Sequence, residues 1–130
     1  MFASATNFNN GGNSNINNWT LKNTGTINCQ SMFYSATSFN QPIGSWNTGN
    51  VTNMSAMFYN DTAFNQPIGS WDVSKVTSFS GMFEGTPFNQ DISSWSTSSA
   101  IQMNQMFYND AAFNQPIGSW NTSNVQNMSY

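Results

Sequence analysis

Five carboxylates are the side chains on which chemistry could rest: Asp61, Asp72, Glu84, Asp91 and Asp110. Asp61 and Asp110 stand at the same place in two nearly identical stretches, MFYNDTAFNQPIGSW at 57–71 and MFYNDAAFNQPIGSW at 106–120, which differ only where Thr62 gives way to Ala111. Glycoside hydrolysis needs such a pair. Two strand-like layers apart, at about 4.8 Å per layer, they would lie roughly 10 Å from one another, a spacing that does not exclude an inverting pair. Their surroundings are repetitive and give no reason for either pKa to move, so catalysis is not the expectation. The chain has no histidine, so it can build neither a Ser-His-Asp nor a Cys-His arrangement, and a zinc site would lack its usual ligands. Cys29 is the single cysteine; no internal disulfide can form, and the redox compartment stays open. A reactive thiol needs a cationic neighbour, and only Lys22 is near in sequence. The plainer reading is a small buried residue in a slot that methionine fills elsewhere. Gly11-Gly12 lacks the motif of a phosphate loop. No catalytic residue, metal or cofactor is expected.

Recognition residues are more plentiful. Trp19, Trp46, Trp71, Trp95 and Trp120 recur at a fixed place. Exposed, they would form a stacking platform for a polysaccharide, but each follows an isoleucine by three residues, which favours the core. Tyr34, Tyr59 and Tyr108, with Glu84 in the fourth place, form the better candidate for an exposed aromatic stripe that binds glycans; a plain solvated face is the competing reading. Asn9, Asn40, Asn65, Asn89 and Asn114, each after a phenylalanine, suit a structural ladder in which the side chain bonds to its neighbour's side chain or backbone.

These columns imply repeated elements that place them. Phased on Met-Phe, the chain is a single repeat array with units 1–31, 32–56, 57–81, 82–105 and 106–130. The first is irregular, with extra residues around Gly11-Gly12 and after Trp19, and the fourth is one residue short between Met82 and Phe88. Val51, Met54 and Met57-Phe58 follow a helical spacing, short enough for one or two turns of α or 3₁₀ helix at most. Phe64, Gln66 and Ile68 alternate as in a strand, which Pro67 should end at about Gln66. One unit offers about seven large apolar side chains at ~1.5–3 kcal/mol each, against on the order of 1.5 kcal/mol per residue for ordering it. Units must therefore stack and share a core. The expected fold is a repeat solenoid of five coils, with short parallel strands and short α or 3₁₀ turns.

Composition narrows the partners. Charged residues make up 5% of the chain, Lys and Arg together number two, and the net charge is −3. Two lysines cannot neutralise a nucleic-acid backbone or hold an anionic membrane surface, and no apolar run is long enough to span a bilayer. MFASATNFNN has neither the basic nor the apolar region of a signal peptide, so a leader was removed or the chain belongs to something longer. Six N-x-S/T sequons, at Asn18, Asn50, Asn53, Asn60, Asn121 and Asn127, match what chance gives at this Asn content.

The unit F-N-Q-P-I-G-S-W-x-x-S-x-V-x-x-M-S-x-M-F resembles the repeats of BspA-like proteins and of mycoplasma-type surface lipoproteins, a leucine-rich-repeat relative. The resemblance covers all five units, most closely 32–130. It implies a solenoid that is extracellular, displayed on a cell or virion surface, and works structurally or as an adhesin, with no catalytic residues. A glycan-binding module using the aromatic columns is the alternative function. An ice-binding face of Thr48, Thr97 and Thr122 is weaker, because Val73 interrupts it. The irregular first unit suits a cap, whereas the fifth nearly copies the interior third. Its partner is therefore expected to be itself, end to end as in a filament, or flanking repeats of the same chain, with surface glycans or host proteins as further partners.

Overall fold

The computed structural model of the chain describes residues 2–21 and 24–130. Each unit rests on the next through alternate backbone N–H groups. Those of Met54, Ala56, Phe58 and Asn60 donate to the carbonyls of Ser78, Ser80, Met82 and Glu84 at 2.8–3.0 Å. The groups between them fold back instead: Met57 donates to Met54 at 3.2 Å, Tyr59 to Ala56 at 3.3 Å and Asp61 to Phe58 at 2.9 Å. The same alternation carries Cys29, Ser31, Phe33 and Ser35 onto Asn53, Ser55, Met57 and Tyr59, and Phe79, Gly81, Phe83 and Gly85 onto Gln102, Asn104, Met106 and Tyr108. Among the described residues two short strands form, β1 (Ile27–Asn28) and β2 (Val51–Asn53), paired in parallel. The column continues as single parallel bridges, Asn53 to Ser78, Ser78 to Gln102 and Gln102 to Asn127.

Two local expectations fail here. The segment with helical spacing, 51–58, is not a helix. Ala56 and Asn60 have φ of 52° and 53°, and the matching residues of other units do the same: Ser31 and Ser35, Gly81 and Gly85, Gln105 and Asn109. A right-handed helix cannot run through left-handed residues, so the chain makes successive three-residue turns, and these give the apolar side chains their i, i+3 spacing. 3₁₀ helix occurs instead in the first unit's insertion, at Asn10–Gly12 and Ser14–Asn18. The alternating segment at 64–68 is likewise not a strand. Its Pro67 has no N–H to give, and the N–H of Asn65 goes to a side chain, as described below. The inter-unit backbone pairing lies in the segment read as helical.

The core is a set of parallel columns. The rings of Phe33, Phe58, Phe83 and Phe107 follow one another at centroid separations of 5.6, 5.9 and 5.7 Å. Those of Phe39, Phe64, Phe88 and Phe113 do so at 6.1, 6.1 and 6.3 Å. Within a unit the two columns touch face to face, Phe58 on Phe64 at 3.7 Å. Ile43, Ile68 and Ile92 and then Val51, Val76 and Ala100 close the remaining sides, all fully buried. Burying large rings against their own copies removes apolar area from water that a single unit could not cover.

Candidate functional site

The asparagine column is a repeated two-donor bond. Asn40 Oδ1 accepts the backbone N–H of Asn65 at 3.0 Å and the Nε2 of Gln66 at 2.9 Å. Asn65 Oδ1 takes Asn89 N–H and Gln90 Nε2 at 3.0 and 2.9 Å. Asn89 Oδ1 takes Asn114 N–H and Gln115 Nε2 at 2.9 and 2.8 Å, and Asn9 serves Asn40 and Gln41 in the same way at 3.2 and 2.8 Å. A side-chain carbonyl thus replaces the backbone acceptor that a strand would have supplied. The glutamines were not anticipated from the sequence, although the Asn-Gln dipeptide in four units is their signal.

The tyrosine column does not form one continuous stripe. Tyr34 and Tyr59 lie face to face, with centroids 4.6 Å apart and planes 4° from parallel. One face of each ring is therefore covered by the other. Glu84 stands next in the column, and its charge, with burial and a hydrogen bond, raises the Tyr59 pKa. Tyr108 lies beyond it, 41% exposed and edge-on to Tyr130 at 5.8 Å. Trp46, Trp71 and Trp95 are buried. Each indole N–H donates to the isoleucine carbonyl of the preceding unit, Trp71 to Ile43 at 3.0 Å and Trp95 to Ile68 at 3.2 Å, a bond the sequence reading missed. Trp19, at the first unit, is 44% exposed.

Asp61 and Asp110 share a column, with Thr86 between them. The Thr86 hydroxyl lies 2.9 Å from the Phe83 carbonyl and 3.2 Å from Asp110 Oδ2. Asp61 is fully buried, and burial pushes its carboxyl up to about 8, against the opposing pull of the Ala63 and Phe64 N–H groups. This corrects the expectation that its surroundings leave the pKa alone: the repeat itself closes the slot. Burial raises Asp110 as well. Asp72 and Asp91 are lowered, each by hydrogen bonds from the serine two residues on, Ser74 and Ser93. Cys29 is buried, and burial raises its thiol to about 11, so little thiolate forms at neutral pH; Lys22, considered as its cationic neighbour, lies outside the described residues. Among the described residues no group of three or more His, Cys, Asp or Glu could hold a metal ion, and no helix is long and apolar enough to cross a membrane.

A family model described as "Mycoplasma protein of unknown function, DUF285" matches residues 1–87 and again 85–130, so the two matches span the chain. The chain belongs to the DUF285 family. No curated protein matches it, and no solved structure does. In this DUF285 chain the fifth unit leaves an open apolar hollow of about 480 Å³, lined by Met106, Phe107, Ile117, Trp120, Met128 and Tyr130. Met106, Phe107, Ile117 and Trp120 match Met57, Phe58, Ile68 and Trp71, which unit 3 buries, and Met128 matches the buried Phe79.

Proposed function

We propose that this DUF285 chain is a leucine-rich-repeat-like solenoid of the BspA-like type, displayed on a cell surface, whose work is structural or adhesive and not catalytic. The observation that carries the reading is the repetition of one set of inter-unit bonds: alternate backbone N–H groups, the Asn-Gln acceptor and the indole N–H recur between neighbouring units. Such a set fixes a rigid rod with a nearly uncharged, amide-rich surface and no concentrated site. Its apolar face at the fifth unit is of the kind that a further unit covers, supplied by flanking repeats or by a second copy docking end to end. The glycan-binding alternative is weakened where the Trp46, Trp71 and Trp95 indoles are buried and Tyr34 and Tyr59 each cover one face of the other.

Light scattering, intact mass and negative-stain microscopy on the native protein test this. Extended particles, or masses in multiples of the chain, are expected. A monodisperse 14.4 kDa species with no further residues would overturn the end-stacking part. Specific retention on a glycan array would replace the structural reading with the alternative.

A further inference from the structure

The slot occupied by Asp61 does the same local job in several units. The N–H of Ala36, Asp61, Thr86 and Asp110 each closes a turn onto the carbonyl three residues back, at 2.9–3.1 Å. A side-chain oxygen at the slot then caps the N–H two residues on: Asp61 Oδ1 takes Ala63 N–H at 3.3 Å, Thr86 Oγ1 takes Phe88 N–H at 3.3 Å, and Asp110 Oδ1 takes Ala112 N–H at 3.0 Å. One oxygen is enough for that job. Thr86 carries only one, and its proton is satisfied by the Phe83 carbonyl.

Asp61 carries a second oxygen, and Oδ2 is buried without a hydrogen-bond partner. An ionised carboxylate would leave a lone pair and a charge there with nothing to compensate them. The protonated acid turns the same atom into a neutral hydroxyl and removes that charge. Among the described residues no charged side chain acts on the slot: burial drives the Asp61 pKa up, and the Ala63 and Phe64 N–H groups oppose it. The unit before it, 32–56, contains no charged residue, and its own column residue is Ala36. The unit after presents Thr86 there, while its two acids lie elsewhere: Glu84 in the tyrosine column and Asp91 at an exposed turn. Asp110 is one unit further, behind Thr86.

We propose that Asp61 is a built-in proton-binding site, which makes the stack of units tighter in acid than at neutral or alkaline pH. The sign follows from linkage. The folded chain holds this proton up to about pH 8, whereas the unfolded chain releases it near 3.8. The stabilisation is therefore complete below the unfolded value, falls as pH rises between the two, and is gone above the folded one. Asp110, raised in the same direction by burial but half-buried, adds a smaller contribution of the same sign. Asp72 and Asp91 are shifted downward and act oppositely, only as pH falls below the ordinary carboxylate range.

The test is chemical denaturation of the intact chain between about pH 5 and pH 8.5, together with Asp61→Thr, which installs the residue of the next unit's slot, and Asp61→Asn. The unfolding constant of the parent is expected to rise by at least about tenfold across that range. Asp61→Thr should flatten most of the rise and unfold later than the parent at the alkaline end. A parent with no dependence, or a Thr variant that keeps the full dependence, overturns the proposal. Carboxyl carbon NMR of the parent reads the group directly, whether or not the variants fold: one aspartate titrating near neutral pH or above supports the site, and five ordinary carboxylate titrations refute it.

Discussion

Units 3 and 5 are the same text in different surroundings. Over 57–71 and 106–120 they differ at one residue, yet Phe64, Ile68 and Trp71 are buried while Phe113, Ile117 and Trp120 are half-buried. Asp61 is fully buried and its counterpart Asp110 is not. Phe79, near the end of unit 3, is fully buried; Met128, its equivalent in unit 5, is 56% exposed. Since the residues are the same, their burial comes from the unit that follows: unit 4 covers unit 3, and no described residue covers the far side of unit 5. Burial is here a property of an interface between units, and one residue type at one repeat position has several energies.

The sharpest way to break this comparison is at the tryptophans. Trp71→Ala should cost about 3–5 kcal/mol, because it empties a closed slot and frees the Ile43 carbonyl. Trp120→Ala should cost about 1–2 kcal/mol, in keeping with its partial burial. Urea denaturation followed by circular dichroism compares them; equal losses would mean that the last unit is covered in solution by something else, such as a second copy. The asparagines sharpen it next. Asn65→Leu strands the Asn89 N–H and the Gln90 amide and should cost about 1–3 kcal/mol. Asn114→Leu removes an acceptor that nothing uses among the described residues and should stay within about 0.5 kcal/mol. Hydrogen exchange at the Asn89 amide reads the first directly, and unchanged protection there would sink the ladder.

The threonine column gives the smallest effect, with opposite signs. The Thr48 hydroxyl is buried without a partner, whereas Thr97 Oγ1 donates to the Asn121 carbonyl at 3.1 Å. Val73 already occupies the same column in unit 3. Thr48→Val should therefore gain about 0.5–1 kcal/mol and Thr97→Val should lose about 1 kcal/mol. Thermal melts of the two variants side by side settle it, and a loss at Thr48 would show that its hydroxyl has a partner after all.

The period and the membership of each column can be read in the residues alone. Identical side chains at a 24- or 25-residue spacing have few ways to be satisfied other than against their own copies, and an apolar content too small for one unit forces sharing. The residues also point to Asn9, Asn40, Asn65, Asn89 and Asn114 as linking residues, because a polar side chain kept at one place beside phenylalanines has to find a partner; the first four accept from the next unit, and Asn114 Oδ1 accepts from no described residue. How the backbone meets its hydrogen bonds follows from which units come to lie side by side. The i, i+3 spacing of Val51, Met54 and Met57 is common to a helix and to successive three-residue turns; the left-handed φ at Ala56 and Asn60 selects the turns, which alanine does not announce, whereas Asn60 and the matching Gly81, Gly85 and Asn109 are types that accept it. The stacking of Tyr34 on Tyr59, and with it the loss of an open aromatic face, depends on the separation of neighbouring units there, 4.6 Å between ring centres. The state of Asp61 depends on the next unit as well. A carboxylate's pKa follows from the water it loses, and that water is excluded by residues distant in the chain, which local sequence around Asp61 does not encode.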